Sequence, residues 1–143
     1  MKDIDIVRLT RASQLDNTDP DVFDGPIITE FLEAFLTDPR HLMFVAQEGS
    51  LVVGMVSAVE YFHPDKPTQL WINEIGVADA YRNRGIGRRL MSTLLNEASQ
   101  RGIAYAWLGT DVNNKPAQVC FQSVTGTRPT QPFLLYEWDI GSS

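Results

Sequence analysis

Apolar positions alternate in part across residues 3–10 and run almost unbroken through 42–47 and 51–62. They recur at 27, 28, 31, 32, 35 and 36, the spacing of one helix face. These patterns predict a first strand at 3–10, a helix at 27–36 and a pair of strands at 42–47 and 51–62. Asp38-Pro39 ends the helix, because the residue before a proline is pushed out of helical geometry. Glu48-Gly49-Ser50 supplies a hairpin turn between the two strands. Residues 13–26 are polar and rich in Asp, Asn, Gly and Pro, and 63–67 hold two prolines, so both stretches read as loops. Residues 69–77 form a further strand. Ile86, Leu90, Met91, Leu94, Leu95 and Ala98 then make one stripe of a helix at 85–100, with Gly102 placed as its C-terminal cap. A strand at 103–110, a short helix at 116–124 opening on Pro116 and a last strand at 133–140 complete the order β-α-β-β-β-α-β-α-β. This is a mixed α/β chain, read as one domain over 1–143.

Charge sharpens the picture. The chain carries a net charge of −6, yet residues 82–101 hold five arginines against Glu97 alone, a local charge of +4. An anion bound at that spot and a solvated arginine-rich helix face both fit. The acidic remainder suits a neutral or cationic partner and disfavours non-specific binding of nucleic acid. No run approaches the roughly 18–20 apolar residues of a membrane span. The N-terminal residues lack an apolar signal core, so the cytoplasm is the expected compartment. One cysteine, Cys120, and two histidines, His41 and His63, make no metal constellation, and a metal-free protein is expected.

The most informative stretch is Ile75-Gly76-Val77-Ala78-Asp79-Ala80-Tyr81-Arg82-Asn83-Arg84-Gly85-Ile86-Gly87-Arg88. A strand ends, a turn follows, and spaced glycines open an amphipathic helix. Unpaired N–H groups and partial positive charge at a helix start attract phosphate, and glycines let it come close. A dinucleotide fingerprint needs a third small residue where Leu90 stands, and no Gly-Lys-Ser/Thr of a P-loop occurs. The remaining pattern, Arg82-x-x-Gly85-x-Gly87, resembles the acyl-coenzyme A signature of the GNAT superfamily of N-acetyltransferases. Asn114-Lys115-Pro116-Ala117 is similar to that family's Asn-x-x-Ala helix opening, and the element order matches over most of the chain. The 63–67 loop leading into Trp71-Ile72-Asn73-Glu74 resembles enzymes of the aminoglycoside 3-N-acetyltransferase type I group.

The resemblance implies a mostly antiparallel mixed sheet with a splayed central strand pair, flanking helices and acetyl-CoA as cosubstrate. Carried over by position, backbone groups of Ile75, Gly76 and Val77 would bond the pantetheine arm. Gly76 would permit a bulge or a close approach. Arg82, Asn83, Arg84, Gly85, Ile86, Gly87 and Arg88 would hold the pyrophosphate, and Asn114 would bond the arm near the thioester. Glu74 would be the general base, its alternative being an exposed strand carboxylate. A free carboxylate near pKa 4.3 faces an alkylamine near 10.4, a gap of about 8 kcal/mol at about 1.36 kcal/mol per unit. Either Glu74 is raised or the amine is lowered, as in a polycation. The sequence departs from the family at Phe121, where members place a tyrosine that protonates the leaving thiolate. Tyr105, Tyr136, Cys120 or water are the substitutes. Tyr61, Phe62 and Trp71 serve either core packing or an acceptor pocket, and Glu60, Asp65, Asp24, Asp111 and Glu137 are either ammonium-binding groups or solvated surface carboxylates. The expected function is acetyl transfer to a primary amine of a small polycation such as an aminoglycoside, hence antibiotic resistance. Polyamine, amino-acid or protein amine acceptors are the alternatives, and a non-catalytic acyl-CoA-binding or sensing module is the rival of another class. Residues 133–140 offer an edge for a homodimer.

Overall fold

Strand formation follows the β-branched and aliphatic runs. In the computed structural model, which describes residues 3–141, β1 spans Ile4–Arg8, β2 His41–Glu48, β3 Leu51–Tyr61, β4 Gln69–Val77 and β5 Tyr105–Trp107. They form one sheet in chain order, antiparallel from β1 to β4 and parallel between β4 and β5. This is a mixed α/β fold with a mostly antiparallel sheet, as expected. Helix α1 is Thr29–Thr37, α2 is Ile86–Gln100 and α3 is Lys115–Gln122.

Two apolar layers hold the sheet. On one face the α2 stripe of Ile86, Leu90, Met91, Leu94 and Ala98 packs on Leu42, Phe44, Val53, Val56, Leu70 and Ile72. On the other face Leu9, Leu15, Val22, Met43, Val45, Val52 and Met55 form a second layer, which Leu32, Phe35 and Leu36 of α1 join. At the far end of α2, Arg101 bonds Glu97, Glu60 and the Pro39 carbonyl, tying the helix to β3.

Three expectations change. The polar stretch 13–26 is not all surface loop. It contains a 3-10 turn at Ala12–Leu15 and buries Leu15 and Val22 in the second layer. The strand at 103–110 shrinks to three residues. The final strand at 133–140 does not form. Those residues lie outside any helix or strand with most of their large side chains exposed, because a strand needs a neighbour to complete its hydrogen bonds. Among the described residues, no helix is long and apolar enough to cross a membrane.

Candidate functional site

The β4/β5 ladder holds three pairs, Gln69 with Tyr105, Leu70 with Ala106 and Trp71 with Trp107. Beyond Trp71 the two strands part, and β4 continues from Ile72 to Val77 paired on its β3 side. This is the expected splay. The opened edge of β4 leads through Ala78 into the turn that starts α2.

A register shift on β4 decides where Glu74 points. Ser57 pairs with Glu74 but Ala58 pairs with Ile72, so Asn73 is the extra residue of a bulge. Without it, Glu74 would share a face with Leu70 and Ile72, under α2. With it, Ile75 and Val77 turn to the α2 layer, while Glu74 and Gly76 turn to the opposite face. The expected bulge is therefore at Asn73 rather than at Gly76. Gly76 provides the close approach instead: a Cβ there would collide with the Val22 carbonyl. Residues 17–22 are held in place by Val52 N–H on the Asn17 carbonyl (2.8 Å) and Asp19 N–H on the Val52 carbonyl (2.9 Å).

That approach brings Asp24 beside Glu74. Burial, the Asp24 charge and a hydrogen bond to Asp24 all raise the Glu74 pKa above the ordinary carboxylate value. A protonated Glu74 would donate to the Asp24 side chain. Asp24 as the direct partner of Glu74 is not legible in the sequence, because the contact depends on the path of the loop. On the same face, Trp71 and Trp107 are neighbours with ring centroids 6.1 Å apart, each 38% exposed. The Trp107 Nε1–H donates to the Tyr61 hydroxyl (2.6 Å), which donates to Gln69 Oε1 (2.9 Å). Both carboxylates and a pair of half-open indoles therefore look out where the strands part.

The turn before α2 is built by backbone geometry. Asn83 and Gly85 take positive φ angles of 62° and 76°, and Gly85 caps the helix without any side-chain bond. The first backbone bond of the helix is Arg89 N–H to the Gly85 carbonyl (3.0 Å). The amides of Ile86, Gly87 and Arg88 thus have no intrahelical acceptor and point out of the helix end. The Arg88 guanidinium lies over the turn, 3.3 Å from where a Cβ on Gly85 would sit. Arg82 instead folds back onto Asp79 (3.2 Å) and the Val77 carbonyl (3.3 Å). Arg84 rests over the Tyr81 ring at 5.0 Å, and the Tyr81 hydroxyl donates to Glu48 (2.9 Å). Of the three arginines, Arg88 faces the turn, while Arg82 and Arg84 brace it.

Gly87 serves packing as well. A Cβ there would lie 2.9 Å from the Cys120 Sγ, so the glycine lets α3 approach α2. Burial pushes the Cys120 thiol pKa up, against the opposing pull of Arg88. Asn114 caps α3 by accepting the Ala117 N–H on Oδ1 (3.2 Å), which explains the Asn-x-x-Ala spacing. Phe121 packs against the α2 layer and brings no donor. Among the described residues, no three His, Cys, Asp or Glu side chains gather as a metal would require.

A sequence model of the acetyltransferase (GNAT) family matches residues 8–126. The chain is 31% identical over 86 residues to an L-2,4-diaminobutyric acid acetyltransferase of Shouchella clausii (strain KSM-K16), covering 60% of this chain and 47% of that protein. It is 34% identical over 89 residues to the N-alpha-acetyltransferase RimI of Mycobacterium tuberculosis (strain ATCC 25618 / H37Rv), covering 62% and 54%. The chain thus spans about half the length of the curated relatives it matches. Two solved structures share the fold at a TM-score of 0.79. One is the aminoglycoside acetyltransferase meta-AAC0020 from an uncultured soil metagenomic sample, in complex with trehalose (19% identity, covering 94% of this chain and 95% of that one). The other is AAC(6')-Iy in complex with a bisubstrate analogue, CoA-S-monomethyl-acetylneamine (17% identity, 97% and 100%).

Proposed function

The chain belongs to the GNAT family of acetyltransferases, and from that membership we propose that it moves an acetyl group from acetyl-CoA to a primary amine of a small polycation. The observation that carries this reading is the continuity of the opened β4 edge with the uncapped turn at Gly85. An extended amide-bearing arm suits the first, and a diphosphate suits the second. In this reading Ile75, Gly76 and Val77 meet the arm through their backbone. Asn83, Gly85, Ile86, Gly87 and Arg88 hold the diphosphate, Arg82 and Arg84 brace the turn, and Asn114 bonds the arm through Nδ2.

Acetyl-CoA supplies the thioester. Glu74 takes the proton that the acceptor ammonium must lose before its nitrogen lone pair can attack the thioester carbonyl carbon. The new C–N bond forms as the C–S bond breaks, the sulfur leaves as thiolate, and the second proton still on the acylated nitrogen passes to that thiolate or to water. Asp24 and burial make Glu74 a stronger base than a free carboxylate, which closes part of the gap to an alkylamine. The same pair of carboxylates attracts a second ammonium group, whose charge would lower the pKa of the reacting one. Trp71 and Trp107 offer flat apolar surface to the body of the acceptor. No side chain is needed to protonate the sulfur. A thiol pKa near 8.5 makes thiolate departure at neutral pH cost about 2 kcal/mol.

Among polycations, an aminoglycoside is the first choice. That choice draws on the two fold neighbours named above and on the acidic, aromatic character of the face beside Glu74. The 3-N position of the sugar, an antibiotic-resistance role and a cytoplasmic setting belong to the same proposal. Diaminobutyrate, a short diamino acid, is the alternative acceptor that the L-2,4-diaminobutyric acid acetyltransferases favour, and an N-alpha amine is the one that RimI favours. Thiol release from acetyl-CoA, followed colorimetrically over aminoglycosides, linear polyamines and diamino acids, tests the reading. Turnover with at least one polycationic class is expected. Phe121 favours a second reading, an acyl-CoA-binding module without catalysis. Thermal stabilisation by coenzyme A with no turnover on any amine would decide for it.

A further inference from the structure

Strand β1 stands at one end of the sheet, paired with β2 alone. In an antiparallel ladder, alternate residues turn their N–H and C=O groups toward the neighbour. Leu9 N–H reaches the Met43 carbonyl (2.9 Å), so Asp5 and Val7, in step with Leu9, face β2. Ile4, Ile6 and Arg8 then face outward. Two of these three outward carbonyls are taken. The Ile4 carbonyl accepts from Arg89 Nη2 (2.8 Å), and the Arg8 carbonyl accepts from Gln14 Nε2 (3.0 Å). Between them, the Ile6 N–H and C=O have no partner among the described residues. They open onto a groove of about 490 Å³ between β1 and α2. Arg88, Arg89, Ser92 and Thr93 border it on α2, and Asp5 borders it on β1. A capped carbonyl at each end keeps a long strand off this edge, and the gap between the caps fits a short one.

We infer that this groove binds the free C-terminus of an extended polypeptide, antiparallel to β1, with its terminal carboxylate held by Arg89. The third residue from the peptide's end pairs with Ile6, and the two exchange both backbone hydrogen bonds. Two residues later the antiparallel chain reaches Ile4. There Arg89 already occupies the carbonyl, so the ladder cannot continue. A chain that stops at this point gives its carboxylate to the Arg89 guanidinium and the outward N–H of Ile4. Charge favours the acid at this spot, since residues 82–101 carry +4 in a chain of −6 and Arg88 lies beside Arg89. The residue paired with Ile6 shares its α2 side, beside Ser92 and Thr93, and suits a small hydroxyl side chain. The penultimate residue falls opposite Asp5 on the other face, where a basic side chain suits the carboxylate. The inference stands apart from acetyl transfer.

The probe is a fluorescein-labelled hexapeptide, Thr-Val-Val-Thr-Lys-Val with a free C-terminus, titrated by anisotropy with the full chain up to about 1 mM. Saturable binding is expected. The C-terminal amide of the same peptide should bind about 10-fold or more weakly, the loss of a charge-assisted hydrogen bond. N-methylation of the second threonine, which removes the N–H given to the Ile6 carbonyl, should weaken binding too. Arg89→Ala, checked by a thermal melt, should match the loss seen with the amide. The Ile6 amide resonance of the ¹⁵N-labelled protein should shift on saturation. The inference is overturned if the free acid does not bind, if the amide or the N-methylated peptide binds as well, or if a folded Arg89→Ala protein keeps full affinity. Saturation that leaves the Ile6 amide unmoved overturns it equally.

Discussion

Gly76→Ala should destabilise the fold, although alanine is ordinarily the better strand residue by about 0.5–1 kcal/mol. The collision partner decides the sign. The added Cβ meets the Val22 carbonyl, a backbone atom of a residue only 3% exposed. Val22 N–H is bonded to the Asp19 carbonyl (3.1 Å), and Asp19 N–H to Val52 of β3 (2.9 Å), so the loop cannot swing aside cheaply. Gly76 itself pairs with Met55 in the β3/β4 ladder and cannot slide. Overpacking of this kind costs about 1–3 kcal/mol. For a chain of this size that is a Tm lower by about 3–10 °C. Urea unfolding read by linear extrapolation measures it. Gly25→Ala is the control, since an alanine Cβ there meets nothing within 4 Å. That change should leave stability unchanged or raise it by up to about 1 kcal/mol. A Gly76→Ala protein as stable as wild type would refute the proposed pinning of the 17–24 loop, and with it the seating of Asp24 beside Glu74.

Four further outcomes follow from the same geometry. Glu74→Gln should lower kcat by about 10²–10⁴-fold with little change in coenzyme A affinity, measured by thiol release and calorimetry. The raised pKa means that the folded state binds more protons than the unfolded one between the two pKa values, so stability falls as pH rises through that window. Glu74→Gln should therefore also unfold at a higher temperature than wild type at pH 8, and an unchanged Tm there would contradict the burial of this carboxylate. Asp24→Asn removes the charge that raises Glu74, so the acid limb of the kcat/KM profile should move to lower pH; a limb that stays put would separate the two groups. Gly87→Ala should destabilise less once Cys120→Ala removes the sulfur 2.9 Å away, giving a coupling energy of about 1 kcal/mol in a double-mutant cycle.

The sheet and the long helix were legible because their apolar periods are long and unbroken. The α2 stripe from Ile86 to Ala98 allows one reading only. The turn from Arg82 to Arg88 was legible because Gly85 has a backbone reason, a left-handed φ, whereas the reason for Gly87 lies in the distant Cys120. The bulge at Asn73 leaves a trace in the sequence, a phase change from Leu70 and Ile72 to Ile75 and Val77. Simple alternation overlooks it. Asn114 is expected from the sequence to bond the cofactor arm, and its role as the cap of α3 emerges only from the structure. Other features depend on contacts distant in the chain. Val22 lies in a polar stretch and becomes core because Val52 of β3 pins the residues before it. The division of labour among Arg82, Arg84 and Arg88 depends on where Asp79, Tyr81 and Gly85 place them. Residues 133–140 have the composition of a strand, but composition does not supply the neighbour that a strand needs.

A diphosphate seated at the start of α2 is what the proposed acetyl transfer needs most. Isothermal titration of coenzyme A into the wild type and into Gly85→Glu, both checked as folded by thermal melts, tests this directly. Glutamate there places a carboxylate and a strained φ where the amides of Ile86, Gly87 and Arg88 converge. Saturable binding by the wild type, weakened about 100-fold or more in the variant, is the predicted result. Equal affinity in the two folded proteins, or no binding by the wild type, would contradict it.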